Sequence, residues 1–389
     1  MKVILISQDF YPLRGGIARY LLQIYENYFK ESDFKAIVPK NISKKSDYNN
    51  FKFLVHRFVF TPFKTFDKRK NENRKLLAFL EKEKPDLILF GYLRSHPEVA
   101  EEYKKINPNC KYGIILHAKE AFFDSSKTKK TNNKGVQKGY SLNEILDYKN
   151  ILNKADFLIT VSNFTKKLIK NQKIKNKFFV INPLLTKIPH EIKEKDRKNF
   201  NILSVGRLIK RKGHDEVIKV LKEVRNKIPD ITYTLVGDGP EKESLKTLAL
   251  ELGVSQNVIF EDNVSDKKLN NYYGDCDVFI LPNKFILPND IEGFGIVFLE
   301  ANSYGKPVIG GKNGGVMEAI QNKKSGFLIN PLNRKELFDK ILFLYNNPNT
   351  RKKMGTNGRY RVIEKFYKNK NKDFLEYLNE IKKLSGQNS

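Results

Sequence analysis

Short runs of β-branched and other apolar residues alternate along the chain with longer segments in which apolar side chains recur every three or four positions. The short runs predict strands and the longer segments predict helices, an alternation that favours parallel sheets covered by helices on both faces. In the first half, 16–31 shows such a helical stripe, and Asn163 is predicted to cap a helix over 164–171. Seven strands are predicted there, at 2–8, 34–38, 51–58, 86–91, 112–118, 156–162 and 178–182. The first half is therefore expected to form one doubly wound α/β domain.

The same pattern restarts in the second half, after a predicted linker at 184–199 that contains Pro189 and a charged stretch. Six more strands are predicted, at 201–205, 231–236, 258–261, 278–281, 307–309 and 326–329. Helices are predicted at 215–227, 242–252, 266–273 and 333–345, with a last helix over 367–384. Two similar sheets imply two doubly wound domains with a cleft between them.

Two stretches, 41–50 and 125–139, are rich in Lys, Ser, Thr, Asn and Gly and predict no regular structure. The second directly follows the end of a predicted strand. Two interpretations stay open for it: a mobile flap over the cleft, or a surface insertion without a role.

Composition bounds the class of protein. The chain has 389 residues, 40% of them hydrophobic, which suits two or three domains and excludes overall disorder. Cys110 and Cys276 lie far apart without ligand-spaced partners, so neither a disulfide framework nor a zinc site is expected, and a reduced cytoplasmic setting is predicted. The four apolar residues after Lys2 are too few for a signal-peptide core, and other apolar runs fall far short of the ~18 residues of a spanning helix. Any membrane contact is expected to be peripheral.

The chain is strongly basic, with a formal net charge of +28. Residues 1–190 hold 37 Lys and Arg against 18 Asp and Glu, whereas the remainder holds 35 against 26. Such a surface attracts phosphates, which nucleic acid, anionic lipid headgroups or a phosphorylated small molecule could supply. The N-terminal half is expected to attract them most.

Ligands of open α/β sheets bind beyond the carboxyl ends of the strands, where helices begin. Gly15 and Gly16 follow the first strand, and glycines at a helix start let backbone N–H groups approach a phosphate. A second helix start follows the strand at 201–205 and is strongly basic. Its Arg207 and Lys212 adjoin glycines and are predicted to hold a diphosphate, whereas its Lys210 and Arg211 are interpreted as solvated charges.

A third site is acidic. Glu292 lies in a glycine-flanked loop, and Glu300 lies eight residues later on the helix that Gly295 is predicted to open. Eight residues are about two helical turns, so both carboxylates can contact different parts of one ligand.

The combined motifs resemble glycosyltransferase family 4. They are Gly15-Gly16, Val205-Gly206-Arg207 with Lys212-Gly213, Val236-Gly237-Asp238-Gly239-Pro240, and Glu292-Gly293-Phe294-Gly295 with Glu300-Ala301. The resemblance runs from about residue 3 to about residue 345 and implies a GT-B fold, in which two Rossmann-like domains face each other across a cleft. It implies an acceptor-binding domain at 1–190, a nucleotide-sugar-binding domain at 191–365 and a helical segment at 366–389 that crosses back to the first domain.

The resemblance also implies roles for individual residues. Arg207 and Lys212 would grip the donor diphosphate, Glu300 would bind the ribose, and Glu292 would face the transferred sugar as a catalytic residue. The loop backbone that would contact sugar and phosphate comprises Gly293, Phe294, Gly295, Ile296 and Val297.

In the N-terminal half the resemblance implies that His117 lines the cleft near the sugar as a second catalytic residue, and that Gly16 faces the diphosphate. Cations arranged around the phosphates can stabilise the leaving group, so no metal is expected. No cofactor is expected beyond the nucleotide-sugar donor, which is GDP- or UDP-linked. The segment 283–290 is longer than in the commonest form of the motif. In this respect the chain resembles GDP-mannose-dependent mannosyltransferases, and a UDP-sugar stays open as the alternative donor.

The leading hypothesis is an enzyme that transfers a hexose, with retention, to a glycan or lipid-linked acceptor in polysaccharide or lipopolysaccharide assembly. The basic N-terminal half would dock on anionic lipid at the inner face of the cytoplasmic membrane. A nucleotide-sugar epimerase of the same fold is the alternative. A nucleic-acid-binding protein is not expected, because no recognition helix, zinc finger or aromatic RNA-binding signature interrupts the α/β pattern.

Overall fold

The computed structural model describes residues 1–11, 15–40, 52–60, 66–93, 95–118, 142–190, 199–286, 290–367 and 369–384. The two stretches predicted to lack regular structure, 41–50 and 125–139, and the proposed flap lie outside the described residues. The chain divides into two compact units, one formed by residues 1–183 with 370 onward and the other by residues 184–369.

The first unit contains a seven-stranded parallel sheet with the strand order β3-β2-β1-β4-β5-β6-β7. Its strands are β1 Lys2–Ile6, β2 Asp33–Pro39, β3 Leu54–Phe58, β4 Leu87–Phe90, β5 Lys111–Leu116, β6 Phe157–Thr160 and β7 Phe178–Val180. In register, Val3 of β1 lies opposite Phe34 of β2 and Leu87 of β4. All seven strands overlap the predicted ones. Central strands such as β4 and β6 are apolar runs buried throughout, whereas the edge strand β3 is partly exposed.

Five helices of this unit precede the second unit: α1 Gly16–Ile24, α2 Phe66–Glu83, α3 Glu98–Ile106, α4 Leu142–Lys154 and α5 Asn163–Asn171. The single helix predicted at 16–31 is α1 followed by a π-helical segment, Tyr25–Phe29. The predicted cap of α5 was wrong by one residue. Ser162 is extended, and its hydroxyl accepts the Thr165 N–H at 3.0 Å, so Asn163 is the first helical residue.

Successive side chains of β1 point to opposite faces of the sheet and so contribute to the two hydrophobic cores of this unit. Ile4 and Ile6 lie with α2 and α3 on one face of the sheet, and Val3 and Leu5 lie with α1 on the other. These four side chains are at most 2% exposed. Burial on both faces explains why the strand reads as an uninterrupted apolar run.

The second unit contains a six-stranded parallel sheet with the order β10-β9-β8-β11-β12-β13. Its strands are β8 Phe200–Val205, β9 Ile231–Val236, β10 Val258–Glu261, β11 Val278–Leu281, β12 Val308–Gly311 and β13 Gly326–Ile329. Its helices are α6 His214–Arg225, α7 Lys242–Glu251, α8 Asp266–Asp275, α9 Ile296–Ser303, α10 Val316–Ala319, α11 Arg334–Asn346 and α12 Pro348–Phe366.

Helix α12 has no counterpart among the predicted helices. Its sequence is mostly polar, and two glycines interrupt its apolar spacing. Those glycines fit tightly packed positions, because a Cβ at Gly355 would collide with the Gly305 carbonyl and one at Gly358 with the Asn302 side chain. Tertiary packing therefore holds α12 against α9. Packing of this kind cannot be predicted from an apolar stripe in the sequence.

The last described helix, α13 Lys372–Leu384, belongs to the first unit. It begins later than the predicted 367–384, because the Asn371 side chain accepts the Phe374 N–H at 2.9 Å and so caps it. Phe374 is fully buried among aromatic rings, with Phe157 and Phe179 at 5.7 and 5.1 Å between centroids.

Because both sheets are parallel, the strands of each sheet end at one edge. In the first unit, α1 and His117 follow the ends of β1 and β5. In the second unit, the segments after β8, β11 and β12 meet at the corresponding edge. The candidate site residues lie at these two edges.

Candidate functional site

Backbone contacts join the three segments at the carboxyl edge of the second sheet. The Lys284 N–H, after β11, donates to the Arg211 carbonyl, after β8, at 2.7 Å. The Gly315 N–H, after β12, donates to the Glu292 carbonyl at 2.9 Å. A Cβ at Gly315 would collide with the Gly293 carbonyl, so this turn requires glycine. These contacts fix the acidic loop against its neighbours.

Glu292 is the centre of a buried cluster of donors. Its Oε2 accepts hydrogen bonds from Arg211 Nη1 at 2.5 Å, Lys212 Nζ at 2.7 Å and Asn283 Nδ2 at 3.0 Å. The side chains of Arg211, Lys212 and Glu292 are 11–15% exposed. The structure thus brings together the predicted residues Lys212 and Glu292.

The charges in this cluster control one another. Burial alone would raise the pKa of Glu292, but the adjacent Arg211 and Lys212 outweigh it and hold that pKa well below its ordinary value. Burial lowers the pKa of Lys212, an effect that Glu292 opposes. For Arg211, burial is outweighed by Glu292 and Asp290, so the pKa of its guanidinium is raised. Glu292 is therefore a carboxylate at neutral pH.

Arg211 corrects the interpretation of the basic loop. It was expected to be a solvated charge, but its side chain is largely buried and forms ion pairs with Glu292 and, from Nε at 3.0 Å, with Asp290. A sequence shows a run of cations and not which of them turns inward. The signal that could have found Arg211 is the pair of acids, Asp290 and Glu292, in the loop that faces it.

Arg207 lies on the same segment but faces outward. It is exposed, and none of the acidic side chains that the structure describes pairs with it. The Cβ position of the adjacent Gly206 lies 3.8 Å from Lys212 Nζ, so this glycine sits beside the lysine ammonium. Arg207 is available to an anion.

Helix α9 begins next to Glu292. Gly295 takes a left-handed conformation with φ of 89°, and no side chain caps the helix. Among the described residues, the N–H groups of Ile296 and Val297 have no acceptor. The Phe294 side chain is buried, 5.7 Å from the Phe366 ring centroid, so at this position a ligand can reach only the backbone. An uncapped helix start is an anion-binding position.

Glu300 lies on α9, about one turn after its first residue, Ile296. Its Oε2 accepts the Tyr273 hydroxyl hydrogen at 2.6 Å. The Tyr273 ring stacks on Tyr304 at 5.7 Å between centroids. Sequence reasoning did not include Tyr273, because nothing in the order of residues links α8 to α9.

The first unit holds the two remaining predicted residues. Gly16 begins α1, and a Cβ added there would meet no described atom within 4 Å. His117 Nε2 lies 3.3 Å from the Gly91 carbonyl oxygen, and its ring meets Tyr20 of α1 edge to face at 5.9 Å. Burial lowers the pKa of His117 to about 4, and the Gly91 contact opposes this shift. The imidazole is therefore neutral at pH 7.

Two doubly wound parallel domains, the second with a cationic loop and an uncapped helix at its carboxyl edge, define the GT-B class of fold. The solved structure of HepE from Anabaena in complex with UDP shares this fold, with a TM-score of 0.74 and 20% identity, covering 99% of this chain and 100% of that chain. Residues 186–361 match the family model of glycosyl transferases group 1. This match covers a little under half of the chain and lies within its second unit.

Two curated relatives show how far the similarity extends. A GDP-mannose-dependent alpha-(1-6)-phosphatidylinositol monomannoside mannosyltransferase of Mycolicibacterium smegmatis is 32% identical over 42% of this chain and 43% of its own length. An uncharacterized glycosyltransferase of Methanocaldococcus jannaschii is 24% identical over 92% of both chains. The chain spans about two fifths of the length of the mannosyltransferases that it matches at higher identity.

Proposed function

We propose that the protein is a retaining glycosyltransferase that moves a hexose from a nucleotide-diphosphate sugar to a hydroxyl of a glycan or lipid-linked acceptor. The observation that carries the proposal is the buried contact of Lys212 and Arg211 with Glu292 beside the uncapped start of α9. The similarity to glycosyl transferases group 1 supports the proposal, because the matched residues 186–361 contain this whole cluster.

The donor diphosphate would lie against Lys212, the exposed Arg207 and the free N–H groups of α9. Departure of a nucleoside diphosphate transfers negative charge to its phosphate oxygens. Preorganised donors stabilise that charge, and loss of one such donor typically costs about 3–4 kcal/mol of barrier. Gly16 would also contact the diphosphate through its backbone, because a Cβ added there would meet no described atom within 4 Å.

The two carboxylates would divide the rest of the donor. Glu292 would face the anomeric carbon, where positive charge develops as the leaving group departs. Glu300, held by Tyr273, would bind the ribose hydroxyls. His117, neutral at pH 7, would bind a sugar hydroxyl as donor or acceptor without adding charge.

Two donor nucleotides compete in this proposal. The mycobacterial relative is named as GDP-mannose-dependent, whereas HepE was solved with UDP. A ligand that binds only the folded state raises the melting temperature by mass action. We expect GDP or UDP to stabilise the protein, and the larger shift identifies the donor. Absence of a shift with both nucleotides would contradict the proposal.

A matched pair of variants tests the basic segment after β8, which contains Arg207 and Lys210. Arg207→Ala is expected to weaken nucleotide binding about tenfold or more, because a charge-assisted contact to phosphate is lost. Lys210→Ala removes the same charge from an exposed neighbour and is expected to change binding less than about twofold. Isothermal titration with the stabilising nucleotide measures both. Equal effects of the two variants on binding would show that Arg207 acts only through its charge and not through a specific contact with phosphate.

Glu292→Gln tests the catalytic assignment. It is expected to lower turnover by about 100-fold or more, because a neutral amide does not offset positive charge on the sugar. Binding of the nucleotide should change little. Release of nucleoside diphosphate from the donor sugar is the measurement, with the exposed Glu243→Gln as control. Wild-type turnover in Glu292→Gln would remove Glu292 from the reaction.

The same assay separates transfer from epimerisation. A transferase releases nucleoside diphosphate and attaches the hexose to an acceptor, or to water when none is present. An epimerase returns an altered nucleotide sugar and releases no diphosphate. Chromatography of the products without acceptor distinguishes the two reactions.

A further inference from the structure

Glu292 is held through one of its two carboxylate oxygens. Arg211, Lys212 and Asn283 all donate to Oε2. Among the described residues no donor reaches Oε1. A carboxylate oxygen offers about two lone-pair sites, so three donors crowd Oε2 while Oε1 remains available to a ligand.

The three donors are not equivalent once a diphosphate is present. Lys212 carries one ammonium on a flexible stem and can turn toward a phosphate. Arg211 is committed elsewhere, because its Nε forms an ion pair with Asp290 at 3.0 Å while its Nη1 contacts Glu292. The planar guanidinium thus bridges two carboxylates, which an ammonium cannot do in the same geometry.

The inserted segment 283–290 contributes Asn283, which donates to Glu292, and Asp290, which forms an ion pair with Arg211. Asn283 stands at its start and Asp290 at its end, and Ile286 and Asp290 exchange backbone hydrogen bonds of 2.9 and 2.8 Å. Lys284, next to Asn283, contacts α6 through the carboxylates of Asp215 and Glu216, at 2.7–2.9 Å. Two residues of the insertion, Asn283 and Asp290, therefore also help to hold the carboxylate of Glu292.

We infer that Arg211, clamped by Asp290, is a positioning residue that holds Glu292 through Oε2 and presents Oε1 to the donor sugar. The inference rests on the proposed function of the site. When Lys212 turns to the diphosphate, Arg211 stays beside Glu292 and balances the negative charge of its carboxylate. Asp290 acts only through Arg211, and neither Arg211 nor Asp290 contacts the donor.

Three variants test this role: Arg211→Gln, Arg211→Lys and Asp290→Asn. Displacement of a catalytic group by about 1 Å can cost about 100-fold, so Arg211→Gln should lower kcat about 10- to 100-fold. Arg211→Lys keeps the charge but not the bridge and should recover part of the loss. The dissociation constant for GDP or UDP should change less than about threefold in all three. Lys210→Gln, on the same loop, is the control and should match the wild type.

Two further readouts separate positioning from mere structural support. Loss of Arg211 leaves Glu292 easier to protonate, so the acid limb of kcat should move to higher pH in Arg211→Gln and return toward wild type in Arg211→Lys. The double variant with Asp290→Asn should be no slower than Arg211→Gln alone, since Asp290 would act only through Arg211. Thermal unfolding of each variant verifies that it folds.

The outcomes are distinct. If the wild type binds neither GDP nor UDP and releases no diphosphate, the proposed function fails. In an active enzyme, Arg211→Gln with unchanged kcat and acid limb overturns the inference. So does a tenfold loss of nucleotide affinity at unchanged kcat, which would place Arg211 on the diphosphate. Multiplicative losses in the double variant would refute the role of Asp290.

Discussion

At the residue scale, the state of each titratable group follows from what surrounds it. His214 begins α6 and is 2% exposed, with Nδ1 at 3.3 Å from the Tyr233 hydroxyl oxygen. Burial, together with the nearby Lys212 charge, lowers the pKa of His214 to about 3. The folded protein therefore holds this imidazole neutral beneath the cationic loop. Neutrality there avoids a further positive charge next to Lys212.

That shift predicts an acid-sensitive stability. Between about pH 6.5 and pH 3 the unfolded chain binds a proton at His214 that the folded chain does not, so stability falls as the pH falls through this range. From pH 7 to pH 5 this contribution should cost about 2 kcal/mol. Urea unfolding of the wild type and of His214→Gln at both pH values measures it. Equal losses in the two proteins would show that His214 does not titrate in this way.

How far a residue's role can be predicted depends on whether the role is local. Lys212 and Glu292 adjoin glycines at helix starts, a local pattern, and the structure brings these two into contact. Arg211 and Tyr273 owe their positions to partners 81 and 27 residues away. A single sequence holds no record of those pairings, so reasoning from it placed Arg211 in solvent and omitted Tyr273.

At the element scale, the pattern of short apolar runs located the described strands. The reason is clearest for central parallel strands such as β4, β6 and β11, which helices cover on both faces and which are apolar throughout. The pattern failed where side-chain chemistry or packing sets the boundary. The Ser162 hydroxyl, not Asn163, caps α5, and α12 packs through glycines rather than through an apolar stripe.

The turn after β12 yields an element-scale prediction. Gly315→Ala should displace the acidic loop, because the added methyl meets the Gly293 carbonyl. Overpacking of this kind typically costs about 1–3 kcal/mol, so we expect a melting temperature several degrees lower together with slower release of nucleoside diphosphate. Gly274→Ala in α8 is the matched control, since its Cβ would meet only Tyr304 at an ordinary 3.7 Å. Equal melting temperatures and rates for both variants would refute this role of Gly315.

At the scale of the whole molecule, charge and site are unevenly divided. The cluster around Glu292 lies in the second unit, whereas most of the net positive charge lies in residues 1–190. Within the described residues, no helix has the length and apolar character to span a membrane. The name of the mycobacterial relative indicates a lipid-linked acceptor for that enzyme. A basic surface attracts anionic lipid headgroups, so the first unit is the part of this protein that we expect to contact such a membrane.

The last prediction concerns that surface. Each Lys or Arg near an anionic leaflet contributes about 1 kcal/mol, and salt screens the attraction. We expect the protein to sediment with phosphatidylglycerol vesicles at low salt, but neither with phosphatidylcholine vesicles nor in 0.5 M salt. In the first unit, α2 exposes Lys70, Arg74 and Lys75 within six positions.

Replacing these three by Gln should weaken vesicle binding about tenfold or more. A matched variant with Gln at three exposed lysines of the second unit should bind nearly as the wild type does; these are Lys222, Lys227 and Lys353. Both variants lose the same charge, so a difference between them locates the docking surface. Equal losses would mean that net charge alone governs binding, and sedimentation with both lipids alike would end the proposal that the first unit docks on anionic membranes.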